Sequence, residues 1–258
     1  MNSINQLLAD PRFALHWQMN RAEQLGLIRF LDIQRPELAL EIGTYEGGSL
    51  QVIAHFAKSV ISVDINPEVE SRLAANFPNT RFRIGQSQVI LPELIREMNA
   101  EGNTPDFVLI DADHTENGVR QDIAAVLNLI PKRETIILVH DSFNPDCRRG
   151  ILTAPWTECD YVHEVEVDFL PGSFNSEAFD TAAPGSMWSG LACAIMKPIK
   201  RNGDLRIMQS QEAIFQAVKG ISMHKEVLDL EPDLSTRVKQ LYRTVRQRGS
   251  KLMKIFRK

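Results

Sequence analysis

Five short apolar runs alternate with helix-like stretches through the first half of the chain, and this alternation constrains the fold more than any other feature. The runs are rich in Ile, Val and Leu without regular polar alternation, which is typical of strands buried on both faces. Parallel strands of this kind need crossover connections, which helices supply. We therefore expect a doubly wound α/β fold. The five runs cover 38–43, 60–65, 80–85, 106–113 and 134–141.

The alternation of strand-like and helix-like segments ends after the fifth run. Two further strand-like runs, 161–172 and 190–198, have no obvious helix between them, which predicts an antiparallel pair that closes the sheet. With this pair we predict a mostly parallel, seven-stranded sheet. A short strand over 204–208 and a helix over 210–221 follow.

The composition and the changes of pattern along the 258 residues suggest how the chain is divided into segments. A hydrophobic content of 43% and a charged content of 24% are ordinary for a globular protein and exclude collagenous or largely disordered chains. We expect a helical N-terminal cap, a sheet domain, a C-terminal extension and a basic amphipathic tail. These four segments are 1–36, 37–200, 201–234 and 235–258.

The charge is unevenly distributed. The tail holds nine Lys or Arg and no acid, whereas residues 1–234 hold 20 basic and 33 acidic side chains. A basic amphipathic helix fits an anionic membrane surface, although docking on the acidic body or plain solvation explains the pattern equally well. We expect no nucleic-acid partner, because the body is acidic and no recognition module is evident. Homo-oligomerisation stays open.

Targeting signals and cysteines favour a reducing compartment. The N-terminus lacks a basic region followed by an apolar run, so no signal peptide is expected. The cysteines are too few and scattered for a disulfide framework: Cys147, Cys159 and Cys193. We expect a cytoplasmic protein, with peripheral membrane contact if the tail binds lipid.

The end of the first strand carries a glycine-rich turn. Glycines at a strand-to-helix turn let the backbone approach a ligand closely. The spacing G-x-x-x-G-G differs from the dinucleotide fingerprint G-x-G-x-x-G, which disfavours pyrophosphate. The acid two positions before the first glycine suits a cationic or hydroxylated ligand. The candidate residues are Glu41, Gly43, Tyr45, Gly47 and Ser49.

The next two strands also end in polar residues. Asp64, followed by Ile65, ends the second strand, where a carboxylate can accept ribose hydroxyls. Gln86 and Ser87 follow the third strand and could border an adenine ring.

This ordered set resembles the class I S-adenosylmethionine-dependent methyltransferases. Their first motif, E/D-x-G-x-x-x-G-x-S, is matched by Glu41, Gly43, Gly47 and Ser49, and their ribose-binding acid is matched by Asp64. The resemblance spans about residues 38–198 and implies that S-adenosylmethionine is the cofactor. The candidate cofactor-binding residues are Glu41, Gly43, Tyr45, Gly47, Ser49, Asp64, Ile65, Gln86, Ser87 and Asp111.

The fourth and fifth strand ends indicate a subtype. The run Ile-Asp111-Ala-Asp113-His114 and the later pair His140-Asp141 resemble a branch of sugar and small-molecule O-methyltransferases. The resemblance implies methylation of a hydroxyl on a sugar, glycan or secondary metabolite. It also implies Mg²⁺ bound by Asp111 and Asp141, with Asp113 or His140 as helpers. Relatives place Asn or a second acid beside the last carboxylate, where this chain has Ser142 or His140, so metal dependence is an open question.

The same strand ends offer candidate catalytic groups. A histidine near a carboxylate can remove a hydroxyl proton at neutral pH, so we expect His114, His140 and Asp141 to be catalytic. We expect the acceptor pocket to be covered by the N-terminal helices, the 144–156 segment and the loop 173–189. Phe174 and Trp188 in that loop could stack on a sugar or ring, although Trp188 could equally pack on the sheet edge.

Two alternative functions stay open. One is an NAD-type Rossmann oxidoreductase, and the other is a non-catalytic sheet that keeps cofactor binding for assembly or regulation. The four remaining histidines lie outside the strand-end constellation and are expected to be structural: His16, His55, His163 and His224.

Overall fold

A computed structural model of the protein describes residues 13–174 and 185–221. The basic tail therefore lies outside the described residues, as do residues 1–12 and most of the loop predicted to cover the acceptor. None of the helices in the described ranges combines the length and apolar character needed to cross a membrane.

Strands and helices alternate as the sequence pattern predicts. The first helix, α1, starts at an Asn20–Glu23 capping box and ends where Arg35 adopts a left-handed conformation, so its terminal backbone groups are partly satisfied. The helices are α1 (Arg21–Gln34), α2 (Leu50–Phe56), α3 (Glu68–Leu73), α4 (Ser87–Glu101), α5 (Glu116–Val126), α6 (Pro145–Leu152) and α7 (Glu212–Ile221), with 3₁₀ turns at Ala74–Asn76 and Trp156–Glu158.

The described residues contain ten strands, which form two sheets. The strands are β1 (Leu38–Ile42), β2 (Ser59–Asp64), β3 (Thr80–Ile84), β4 (Phe107–Ile110), β5 (Thr135–His140), β6 (Val162–Leu170), β7 (Ser173–Phe174), β8 (Met187–Trp188), β9 (Leu191–Met196) and β10 (Ile207–Met208).

The large sheet has the order β10-β6-β9-β5-β4-β1-β2-β3. Strand β9 lies between β5 and β6 and is antiparallel to both, whereas the remaining pairings are parallel. The prediction of a doubly wound, mostly parallel sheet with a late antiparallel pair is confirmed. The sheet has eight strands rather than seven, because β10 from the predicted 201–234 extension pairs with the edge of β6.

Two apolar cores cover the two faces of the sheet. Helices α1, α2 and α3 bury side chains such as Leu27, Leu50 and Val69 in one core, and α4, α5 and α6 bury Leu91, Ile123 and others in the second core. Strand β1 is buried along its whole length because both faces are covered, which explains its lack of polar alternation.

The strand order reverses between β1 and β4, where the chain turns from building one half of the sheet to the other. In open α/β sheets ligands bind outside the carboxyl ends of the strands at such a point. The register places Ile42 beside Ile110, and Ile110 beside Val139. The next residues, Gly43, Asp111 and His140, therefore leave the sheet side by side.

Candidate active site

The turn after β1 is shaped by close backbone contact. Gly43 has φ +92°, and a Cβ there would overlap the carbonyl oxygen of Asp111 and lie 2.9 Å from Ala112 Cα. Both the positive φ and the contact require glycine. Gly47 and Tyr45 also have positive φ, and the side chain of Tyr45 is largely exposed. The backbone of this turn therefore lies at the crevice between the carboxyl ends of β1 and β4.

Glu41 is the fully buried acid of this turn. Ser49 Oγ donates to Glu41 Oε1 at 2.6 Å, while Oε2 is buried and has no hydrogen-bond partner among the described residues. Burial dominates and raises the pKa of Glu41 to about 8, with Asp111 and Asp64 adding to the effect. Glu41 therefore has hydrogen-bonding capacity left beside the turn.

Asp64 is oriented by the same turn. Its Oδ2 accepts the backbone N–H groups of Thr44 (2.9 Å) and Tyr45 (2.8 Å), and its Oδ1 accepts that of Asn66 (2.7 Å). A carboxylate has about four lone-pair positions, so roughly one position is left for a ribose hydroxyl. The neighbouring Ile65 is exposed and can supply an apolar edge.

The third strand end is organised differently from the prediction. Gln86 is exposed, but Ser87 is buried and its Oγ donates to Asp122 Oδ1 at 2.6 Å. The second oxygen of Asp122 is buried, and no described residue forms a hydrogen bond with it. Burial raises the pKa of Asp122 to about 6, against the effect of the Ser87 hydrogen bond. The hydroxyl of Ser87 is therefore directed at α5, and Gln86 is the side chain available to a ligand.

The fourth and fifth strand ends converge on one cluster. Ligand atoms of Asp111, His114, His140 and Asp141 all lie within 4.8 Å of one another. We call these four residues the histidine–aspartate cluster. His140 Nδ1 lies 2.9 Å from Asp111 Oδ1 and 3.4 Å from Asp141 Oδ2. His114 Nε2 lies 3.4 Å and 3.2 Å from the same two oxygens. The structure thus brings together all three predicted catalytic residues and both predicted metal ligands.

The groups of the cluster shift one another's pKa values. Burial opposes every charge here, yet the two aspartates raise the pKa of His114 and raise that of His140 well above its ordinary value. The histidines in turn lower the pKa of Asp111 and of Asp141 against the effect of burial. His114 is the most accessible member, with 37% of its side chain exposed, so it is the one that faces an entering ligand.

Helix α1 contributes a residue that the sequence did not point to. Glu23 is fully buried, accepts the backbone N–H of Asn20 at 2.6 Å and that of Gly190, and places Oε1 3.2 Å from His140 Nε2. This last contact has ion-pair distance but not hydrogen-bond geometry. Glu23 also completes the Asn20–Glu23 capping box at the start of α1, and none of the strand-end motifs includes it.

A turn at Ser189–Gly190 orients two of these acids. The backbone N–H of Ser189 donates to Asp141 Oδ1 at 2.7 Å, and the next N–H donates to Glu23. Both turn residues have positive φ, as does Asp141 itself (φ +60°). A non-glycine residue in this conformation is strained. In this backbone conformation Asp141 binds the Ser189 N–H through Oδ1 and directs Oδ2 at the cluster.

The N-terminal segment covers the glycine-rich turn. Gln51 in α2 exchanges hydrogen bonds with the backbone N–H and C=O of Leu15. A Cβ on Gly48 would lie 2.5 Å from the carbonyl oxygen of His16, so the two backbones touch. The described part of the predicted cap thus packs on the turn, and α1 reaches the cluster through Glu23.

The short β7–β8 pair lies beside the cluster. Trp188 packs edge-on against His114 with ring centroids 5.4 Å apart, and its buried Nε1 has no hydrogen-bond partner among the described residues. Phe174 on the paired strand is 44% exposed. His163 contacts a backbone carbonyl away from the cluster, as expected for a structural histidine, and His224 lies outside the described residues.

The strand order and the ligand-facing turn are those of the class I methyltransferases. Residues 40–142 match a family model described as "Methyltransferase domain", whereas a comparison with curated proteins found no match. The matched segment includes the glycine-rich turn and the strand ends that carry the cluster, so this part of the chain is similar to a methyltransferase domain.

Solved structures agree with this fold. A cofactor-bound protein from MTB, Rv0187, is 19% identical, with 74% of this chain and 88% of that chain covered and a TM-score of 0.51. An O-methyltransferase from Bacillus cereus in complex with SAH is 16% identical, with 76% and 92% covered and a TM-score of 0.51. TomG, an O-methyltransferase from Streptomyces achromogenes involved in tomaymycin synthesis, is 16% identical, with 76% and 91% covered and a TM-score of 0.52.

Proposed function

We propose that the protein transfers a methyl group from S-adenosylmethionine to a hydroxyl group of a small acceptor, on a sugar, a glycan or a secondary metabolite. The observation that carries this proposal is the histidine–aspartate cluster beside the glycine-rich turn. A hydroxyl must lose its proton on methylation, and the cluster concentrates proton-accepting groups where the strands end. Two solved structures with the same fold are O-methyltransferases, which agrees with this class of acceptor.

The residues of the turn fit the cofactor. Glu41 offers an unpaired carboxyl oxygen, Gly43 opens the backbone, and Asp64 retains acceptor capacity for ribose. S-adenosylmethionine, when bound, supplies a methyl group on a positively charged sulfur. The turn residues would hold the cofactor on the β1 side of the crevice, so that the cluster faces the acceptor from the β4–β5 side.

The chemical step is an in-line displacement. The acceptor oxygen forms a bond to the methyl carbon while the carbon–sulfur bond breaks, the sulfur keeps the bonding electrons, and the hydroxyl proton passes to the protein. The chain's main contribution is to hold the oxygen in line behind the methyl group. His114, the accessible member of the cluster, is placed to contact that oxygen, while His140 and Asp141 are buried behind it.

The aromatic residues beside the cluster support a ring-shaped acceptor. Trp188 lies against His114, and its indole N–H has no hydrogen-bond partner among the described residues. Phe174 is exposed on the adjacent strand. Sugars and aromatic metabolites both pack on such side chains while their hydroxyl groups are hydrogen bonded.

A binding and turnover experiment tests the proposal. We expect calorimetry to show binding of S-adenosylhomocysteine and none of NAD. We also expect Asp141→Ala and His114→Ala to abolish methyl transfer to a hydroxyl acceptor while cofactor affinity is largely kept. Binding of NAD alone would support the oxidoreductase, and full activity in both variants would remove the cluster from the reaction.

The acceptor itself is best found by a screen. Radiolabelled methyl groups from S-adenosylmethionine can be followed into panels of phenols, sugars, amines and thiols. Transfer to hydroxyl groups supports the proposal, whereas exclusive transfer to nitrogen or sulfur contradicts it. His163→Ala is the matched control for His114→Ala in the methyl-transfer assay, because His163 is remote from the cluster.

The basic tail is assigned to location or assembly. Its nine cations lie outside the part of the chain that resembles methyltransferases, so we propose that it directs a cytoplasmic enzyme to an anionic surface or to another copy of the chain. Deletion of 235–258 should leave activity on a soluble acceptor intact. Loss of activity in a folded deletion variant would contradict this assignment.

A further inference from the structure

We propose that the histidine–aspartate cluster binds a divalent cation of the first transition row, such as Co²⁺, Zn²⁺ or Mn²⁺, in preference to Mg²⁺. Such an ion would lie where the acceptor hydroxyl is expected, and its use in activating that hydroxyl rests on the proposed function. Binding of the ion is independent of the proposed function.

The four atoms alternate around a closed ring. Asp111 Oδ1, His114 Nε2, Asp141 Oδ2 and His140 Nδ1 follow one another at 3.4, 3.2, 3.4 and 2.9 Å. Ligand atoms about 2.1 Å from one ion lie roughly 3.0 to 3.4 Å apart when they are neighbours in octahedral or tetrahedral coordination. The observed spacings fall in or close to this interval on all four sides.

Hydrogen bonding alone accounts less well for the ring. Each ring nitrogen carries at most one proton, and that proton is shared best with one acceptor in line. Yet His114 Nε2 lies within 3.4 Å of both Asp111 Oδ1 and Asp141 Oδ2, and His140 Nδ1 does the same. Two donors that each face two acceptors are arranged around a common centre rather than as two pairs.

The donor set does not fit Mg²⁺ well. Mg²⁺ takes oxygen ligands and keeps several waters, whereas two imidazole nitrogens and two carboxylate oxygens suit the borderline transition metals. The resemblance to metal-dependent relatives implies Asn or a second acid beside the last carboxylate, where this chain has Ser142 or His140. The disagreement with the expected Mg²⁺ is therefore a consequence of the residues themselves.

Groups behind the cluster contact three of its four side chains on the side away from the ring. Glu23 lies behind His140 on the side of Nε2 at 3.2 Å, so that Nδ1 faces the ring. Ser189 N–H binds the outer oxygen of Asp141, so that Oδ2 faces the ring, and Trp188 packs on His114. Carboxylates behind ligating histidines set the orientation and tautomer of the ring. Glu23 is thus assigned as a positioning residue of the site.

The test measures ion binding directly. The full-length protein is treated with chelator, dialysed, and titrated with Co²⁺ and with Mg²⁺ by calorimetry, and the Co²⁺ complex is followed by its visible absorption. We expect one Co²⁺ per chain, bound at least about 100-fold more tightly than Mg²⁺. His140→Asp should weaken Co²⁺ binding by roughly 10-fold or more and narrow the preference over Mg²⁺. Glu23→Gln should weaken it by roughly 10- to 100-fold.

Control variants and folding checks distinguish loss of the metal site from loss of the fold. His163→Ala removes a histidine outside the cluster and should leave Co²⁺ affinity and spectrum unchanged. If His140→Asp does not fold, His114→Ala takes its place, since 37% of the His114 side chain is exposed and its removal disturbs the core least. Each variant is first checked by its unfolding transition and by S-adenosylhomocysteine binding.

The outcomes separate this inference from the proposed function. Absence of saturable Co²⁺ binding, equal affinity for Mg²⁺, or an unchanged spectrum in the folded cluster variants would overturn the metal site, even if methyl transfer to hydroxyl groups is observed. Tight Co²⁺ binding that is lost in the cluster variants supports the site, even if the methyl acceptor turns out to be an amine or thiol.

Discussion

The buried carboxyl of Glu41 makes the stability of this protein depend on pH in a way that one substitution should remove. In the unfolded chain the group ionises near pH 4.5, and in the folded protein burial raises its pKa to about 8. Between these values the folded state holds a proton that the unfolded state has released. The stabilisation is therefore fully present below pH 4.5 and is lost as the pH rises towards 8.

The magnitude follows from the size of the interval. Each pH unit within it changes the free energy of unfolding by about 1.4 kcal/mol, so Glu41 should weaken the fold by about 3 kcal/mol between pH 5 and pH 7.5. Glu41→Gln keeps an oxygen that accepts from Ser49 Oγ but cannot ionise. Its unpaired NH₂ group costs about 1 to 3 kcal/mol, and this cost does not depend on pH.

The assay is urea unfolding of the cofactor-free protein at several pH values from 5 to 8. We expect Glu41→Gln to be less stable than wild type at pH 5 and to gain about 3 kcal/mol relative to wild type by pH 7.5. Asp122→Asn is a matched control, because the pKa of Asp122 is raised only to about 6. Its stability relative to wild type should change below pH 6 and stay constant above about pH 7.

If the difference in free energy of unfolding between wild type and Glu41→Gln stays constant from pH 5 to pH 8, the predicted pH dependence of Glu41 is wrong. That result would mean that Glu41 is ionised in the folded protein, and that some group compensates for its burial. If both variants changed over the same pH interval, the effect would belong to the protein as a whole and not to the environment of Glu41.

Three further predictions concern the turn, the cluster and a buried ion pair. Gly43→Ala should lose S-adenosylhomocysteine binding or fail to fold, because φ +92° and the Asp111 carbonyl leave no room for a Cβ; calorimetry that shows normal affinity would contradict this. His114→Ala should lower kcat by about 100-fold or more with cofactor affinity kept, as separate turnover and binding measurements will show. Asp168→Ala should destabilise the protein by about 3 kcal/mol or more in urea unfolding, since Arg148 pairs with Asp168 at 2.6 Å in the interior; a change below 1 kcal/mol would argue against a structural role.

Much of the framework could be predicted from local pattern. Strands such as β1 and β4 are apolar on both faces because helices cover both faces, and that pattern is visible without coordinates. The acids at strand ends were predictable for a similar reason, since the carboxyl ends of parallel strands lie on one edge of the sheet. Glu41, Asp64, Asp111 and Asp141 all lie there.

Contacts between distant segments could not be predicted. Glu23 reaches His140 from a helix 117 positions earlier in the chain, and none of the strand-end motifs includes it. Ser87 directs its hydroxyl at Asp122 because α4 and α5 pack side by side, which no motif at the third strand end indicates.

The doubly wound sheet could be predicted from the amino-acid pattern, as could the glycine-rich turn and the set of acids and histidines at the sheet edge, because these depend on periodicity and on position along single strands. The folded structure was needed to show that β9 enters between β5 and β6, that two histidines and two aspartates close into one ring, and that Glu23 lies behind that ring. Those features depend on which distant segments become neighbours in space. The segments become neighbours only when they pack against the completed sheet.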